Sequence, residues 1–306
     1  MREEIGAIAP LAMARWRDAR GTRSRYERSP RETAEVTETG REQTHDDWFG
    51  IVRLWVETFD EIAPRTIEGL YVIGSVALDD WQPRSSDIDV VAITAEPADE
   101  DMAGALLTAH AVFAERSPAR TVDGPFLAWG DLLASPQGVT RPWTLDGSFH
   151  HDAECFELNP VTWYTLANYG VRVRGPELAE LAIPVDVDDM VRFVIDNALS
   201  YWTVVHDQFV AALGELRPSD TLSSSVPVWC LLGACRMLYT ALTGDVASKT
   251  AAGRWVGDLM GDAHGNTCEA VVALRAVSDH DVGIELLRAA CATMADVLKR
   301  IAKLPR

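Results

Sequence analysis

The stretch Tyr71–Thr94, YVIGSVALDDWQPRSSDIDVVAIT, decides how this chain is read. It begins as an apolar strand, turns at Gly74-Ser75, crosses a polar loop and enters a second apolar strand through Asp87-Ile88-Asp89. Residues i and i+2 of a strand point to the same face. Asp87 and Asp89 are therefore neighbours, with Ile88 turned into the core. Two adjacent carboxylates repel unless a cation lies between them. Oxygen-only donors at a strand end suit Mg²⁺. Gly74 lets backbone N–H groups come close to a phosphate, and Ser75 adds a hydroxyl donor. A hairpin carrying a chance D-x-D is the bland alternative, and the combination of strand, Gly-Ser and spacing argues against it.

Helical spacing of Trp48, Ile51, Leu54, Trp55 and Phe59 predicts a helix before this stretch, with Asp46 or Asp47 at its N-cap. Met102–Phe113 reads as a second helix. A third strand is expected near Thr121, with Asp123 at its start. Alone, an Asp before Gly124 is equally a turn residue. A linker at Leu181–Val185 leads to a boundary near Asp186. Beyond it the pattern is helical: Met190–Val210 capped by Asp188-Asp189, Val226–Leu242 stopped at Gly244, Ala251–Met260, Thr267–Ala276 and Asp281–Ala302, with Arg217–Ser225 a loop. The expected architecture is an α/β (α+β) domain with a mixed sheet over residues 46–186, then an all-α bundle over 187–306. Residues 1–45, rich in Arg, Glu, Thr and Ser, read as a flexible extension.

With Gly74-Ser75, the intervening loop and Ser86-Asp87-Ile88-Asp89 in place, the chain resembles the polymerase-β-type nucleotidyltransferases. Within them, TVDGPFLAWGDLLASP (from Thr121) and LLGACRMLYTALTGDVASKTAAGRWV (from Leu231) resemble the streptomycin/spectinomycin adenylyltransferases. The resemblance runs from about Trp55 onward. It implies two Mg²⁺ ions on Asp87 and Asp89, with Asp123 as the acid that activates the acceptor, where the family usually has Glu. It implies ATP as co-substrate, bound by Gly74, Ser75, Ser86, Arg236 and Lys249. It also implies a cationic aminoglycoside held by Trp202 and Asp207, which keep the family's spacing. AMP would pass to a hydroxyl of that drug, the chemistry of antibiotic resistance. Two alternatives stand beside this: another small hydroxylated acceptor, or a nucleotide-binding protein without catalysis.

Composition sets the outer limits. Of the 306 residues 47% are hydrophobic and the net charge is −18, as expected for a globular protein. Residues 1–45 hold 9 Arg against 8 acidic groups, which leaves 19 basic against 38 acidic in the remainder. A body this acidic repels nucleic acid and attracts a small cation. No apolar run is expected to span a membrane. Five scattered cysteines without a C-x-x-C pair fit neither a disulfide framework nor a zinc site. A reduced, cytoplasmic monomer is expected.

Overall fold

A computed structural model describes residues 48–134, 140–151 and 153–305. The expected N-terminal extension and the Asp46/Asp47 cap lie outside the described residues.

The first half is a three-layer sandwich. Its helix α1 (Trp48–Ile62) precedes β1 (Gly69–Val72), a single helical turn α2 (Gly74–Ala77) and β2 (Ile88–Thr94). Helix α3 (Glu100–Arg116) crosses over to β3 (Val122–Ala128), and the hairpin β4 (Trp143–Leu145) and β5 (Ser148–His150) follows. Helix α4 (Pro160–Tyr169) and β6 (Val171–Arg174) complete this half. The six strands lie in the order β5-β4-β3-β2-β1-β6. β1 is antiparallel to β2 and β6, β2 is parallel to β3, and β3 is antiparallel to β4. The sheet is mixed, as expected.

Strand alternation divides the core in two. Leu70, Val72, Val90, Ala92 and Phe126 face α1 and α3, where Trp55 and Phe59 stack at 3.8 Å. Tyr71, Val91, Ile93 and Leu127 face the other way and pack with Trp163 and Leu166 of α4. Asp89, two residues before Val91, belongs to this second face.

The second half is helical. Asp186 accepts hydrogen bonds from the backbone N–H of Asp188 and Asp189 and so caps α5 (Val187–Asn197). The expected caps, Asp188 and Asp189, instead occupy the first turn, where acidic side chains favour the helix dipole. The single helix expected over 190–210 is interrupted by a π-turn, Ala198–Trp202, before α6 (Thr203–Glu215). Helices α7 (Ser225–Thr243), α8 (Lys249–Met260), α9 (Asp262–Leu274) and α10 (Ile284–Ile301) follow. Gly244, at φ 69°, ends α7 as expected. The 217–225 loop and the start of the last predicted helix pair as a small ribbon, β7 (Thr221–Ser223) with β8 (Asp281–Gly283). By length and composition α7 could cross a membrane, against expectation, yet Leu231, Leu232 and Leu238 are buried in the bundle core. All five cysteines are free and buried.

Candidate active site

Register brings the acids together. β2 and β3 run parallel with Ile88 opposite Val122, so Asp89 lies directly opposite Asp123. Parallel neighbours sit about 4.8 Å apart. Asp87 precedes the strand by one residue and shares the face of Asp89. Three carboxylates thus collect at one sheet edge, all of them oxygen donors.

The phosphate-type turn is built against this edge. Gly74 has φ 61°, and a Cβ there would lie 1.7 Å from Asp89 Oδ2. Only glycine leaves room for that carboxylate. Ile73 N–H donates to the Asp89 carbonyl (2.9 Å), joining the turn to β2. The Ser75 hydroxyl is buried and has no hydrogen-bond partner among the described residues. Such an atom calls for an incoming partner, and a phosphate oxygen is one. Ser86 Oγ accepts from Gln82 N–H (3.2 Å) and so holds the loop in shape.

Asp123 is 1% exposed. Its Oδ1 accepts from Gly147 N–H (3.3 Å), while its Oδ2 has no partner among the described residues. Gly147 belongs to the β4–β5 turn, where Asp146 (φ 49°) and Gly147 (φ 73°) give the type I′ pattern of two-residue hairpins. An Asp-Gly pair between short apolar runs is itself a hairpin signal, and it marks this turn although the expectations above do not include it. Burial pushes the Asp123 carboxyl above its ordinary range, and the Asp87 charge adds to this.

Asp89 is pushed up to about 7, first by burial, then by Asp87. Lys249 and Arg236, from the helical half, act in the opposite sense on the same carboxylate. Burial draws the pKa of Lys249 down, while Asp87 and Asp89 hold its charge on. Lys249 and Arg236, which follow far along the chain, are thus close enough to act on the carboxylate at the start of β2. A further carboxyl, Glu157, joins them without any motif to announce it. Burial holds it well above its ordinary range, and Asp89, Asp123 and Asp87 add to this. It precedes α4, on the sheet face that the acids share.

These residues fit Mg²⁺ as it is usually bound. Among the described residues no three ligating side chains close into a ready-made cage. Mg²⁺ typically takes one or two carboxylates and completes its shell with water and substrate phosphates. An all-oxygen pair whose ionised forms repel one another matches that habit.

The two residues expected on the acceptor side differ in exposure. Trp202 is 7% exposed and belongs to the bundle core. It packs on Trp229 (5.2 Å) and fills the space above Gly233, where a Cβ would lie 2.0 Å from the indole. The Trp202 indole is thus held by the bundle core, with little of its surface exposed. Asp207 is exposed, with the His206 ring 3.5 Å away.

Comparison with known proteins fits this picture. Residues 197–299 match the family model described as the aminoglycoside adenylyltransferase C-terminal domain. Among solved structures, spectinomycin adenyltransferase AAD(9) from Enterococcus faecialis, crystallised with ATP and spectinomycin, shares the fold with a TM-score of 0.61. The match covers 84% of this chain and 100% of that one at 16% identity. No curated protein matches the sequence.

Proposed function

We propose that this chain, whose helical half matches the aminoglycoside adenylyltransferase C-terminal family and whose two-part fold is that of an aminoglycoside nucleotidyltransferase enzyme, transfers AMP from ATP to a hydroxyl of a cationic aminoglycoside of the streptomycin/spectinomycin class. The observation that carries the reading is the pairing of Asp89 with Asp123 in register, faced by Arg236 and Lys249 from the other half.

Asp87 and Asp89 would hold two Mg²⁺ ions, which supply Lewis-acid stabilisation of the phosphoryl charge. Ser75, Arg236 and Lys249 bind and orient the triphosphate, for which Ser75 has an unused hydroxyl and the two bases have charge. Asp123 takes the proton of the acceptor hydroxyl on its free Oδ2, and its raised affinity for protons suits it to a general base. Gly147 N–H keeps the other oxygen occupied and fixes the carboxylate plane. The gain comes from positioning nucleotide and acceptor against each other. The acidic body attracts the cationic acceptor.

Pyrophosphate release from Mg-ATP tests the reading, with streptomycin, spectinomycin and related aminoglycosides as acceptors. Acceptor-dependent release is expected, with a product heavier by one AMP. No release across the panel sinks the proposal. A second reading keeps the reaction and changes the acceptor. It is favoured by the burial of Trp202 in the bundle core. An AMP adduct on a hydroxylated compound outside the aminoglycosides decides for it.

A further inference from the structure

Asp80 and Arg275 lie 195 residues apart and form a buried ion pair between the two halves. Their side chains are 8% and 5% exposed, with Arg275 Nη2 at 3.0 Å from Asp80 Oδ2. The same nitrogen donates to the Asp80 carbonyl (2.9 Å). Asp80 Oδ2 also accepts from the Thr250 backbone N–H (3.1 Å), the residue after Lys249. On its other side, Asp80 N–H donates to the Ser75 carbonyl (2.9 Å). Ser85 Oγ donates to the Arg275 carbonyl (2.7 Å) and closes the loop.

These bonds form a short chain with the catalytic parts at its ends. Ser75 is tied to Asp80, Asp80 to the first turn of α8, and that turn begins with Lys249. Neither end touches the other directly through these bonds, so Asp80 sets the spacing between them. A buried charge pair that loses one partner leaves the other uncompensated, which favours opening of the interface around it. Arg236, Lys249 and Arg275 repel one another, and Asp80 is a counter-charge that offsets part of that repulsion. Without Asp80 that cluster has lost a counter-charge at its base.

We infer that Asp80 and Arg275 are positioning residues for the nucleotide: their ion pair holds Lys249 at the distance from the Gly74-Ser75 turn that an ATP triphosphate requires. The inference rests on the proposed nucleotidyl transfer. If the closed arrangement is only fractionally populated once the pair is broken, apparent ATP affinity falls by that fraction. The effect belongs to ATP, and the acceptor site is spared.

The test uses the full chain with Asp80→Asn, Arg275→Lys and Ser85→Ala. Arg275→Lys keeps the charge and loses the planar guanidinium whose Nη2 serves both the Asp80 carbonyl and Oδ2. Ser85→Ala is an exposed change that removes only the bond to the Arg275 carbonyl. Hydrogen exchange without nucleotide reads the clamp itself. Asp80→Asn is expected to raise exchange at Thr250 and across residues 74–80 at least tenfold, with α10 unchanged. Kinetics read its purpose: KM for ATP is expected to rise at least tenfold in Asp80→Asn, less in Arg275→Lys and about two- to threefold in Ser85→Ala. Acceptor KM should stay within twofold and kcat within about threefold. A fold defect alone would lower active enzyme without this split. Unchanged exchange overturns the clamp, and raised exchange with unchanged ATP KM overturns its role in positioning. Should Asp80→Asn not fold, Arg275→Lys and Ser85→Ala carry both readouts, and the same outcomes overturn the same claims. Wild-type protein that binds no ATP in calorimetry overturns the adenylyltransferase reading and the nucleotide role with it, while the exchange result still decides whether the clamp exists.

Discussion

At Gly74 the backbone turns through a positive φ and the Asp89 carboxylate fills the place of a side chain. Gly74→Ala must therefore displace a carboxylate and strain the backbone together. We expect a loss of about 1–3 kcal/mol of stability by denaturant titration and a fall in pyrophosphate release of at least ~100-fold, since misplacement by about 1 Å costs that much. Asp123→Asn keeps the shape and the Gly147 contact and removes the base. Turnover should drop about 10²–10⁴-fold, with ATP affinity unchanged by calorimetry. A drop of tenfold or less assigns the proton to another group, and Glu157 is the neighbour of choice. At this scale much was legible, because Gly74, Ser75, Asp87 and Asp89 lie close together in sequence and follow local rules. Glu157 and Arg275 were not: each joins the site by tertiary packing, and nothing in their own neighbourhoods marks them.

Elements carry the site by holding these residues still. The β4–β5 hairpin is a support for Asp123, tied by Gly147 N–H and by His110 Nε2, which lies 2.9 Å from the Gly147 carbonyl. Its Asp-Gly turn could be read from sequence, whereas its service to Asp123 depends on which strands become neighbours. The π-turn at Ala198–Trp202 escapes helical periodicity because one extra residue per turn changes the face on which later side chains fall. Trp202 is set into the core on Gly233. Gly233→Ala should overfill this contact and cost about 1–3 kcal/mol, seen as a lower Tm. At the far edge, Arg174 in β6 forks onto Asp60 in α1, with contacts of 2.7 and 2.5 Å. That hydrogen bond holds the Asp60 carboxyl below its ordinary 3.8. A depressed carboxyl contributes stability above the unfolded value and loses it as pH falls through the folded one. Asp60→Asn should thus cost about 0.5 kcal/mol of stability at neutral pH, little because the pair is partly exposed, and this is seen as a lower Tm. The difference should shrink as pH falls below the ordinary carboxylate value and disappear once pH has passed through the depressed folded value.

For the whole molecule, the acids come from one half and the cations from the other. Two further contacts join the halves: Tyr164 and Tyr169 both donate to Asp245 Oδ1, at 3.1 and 2.7 Å. Fragments 48–186 and 187–306, prepared separately, are each expected to be inactive in pyrophosphate release, and activity in either one would refute an interdomain site. The order of a sheet-bearing half and a helical half was legible because hydrophobic period changes from two to 3.6 along the chain. The contacts between them were not, since Asp80, Thr250 and Arg275 carry no shared pattern and meet only after each half has folded.

The parallel register of β2 and β3 has a consequence for how such a chain can change over generations. A slip of one residue would turn Asp123 into the core under α1 and α3 and push an apolar neighbour outward. That slip costs folding before it costs chemistry. Insertions within either strand are therefore filtered by stability, whatever substrate the cell presents. The alignment of Asp89 with Asp123 is thus held by the same packing that holds the two strands.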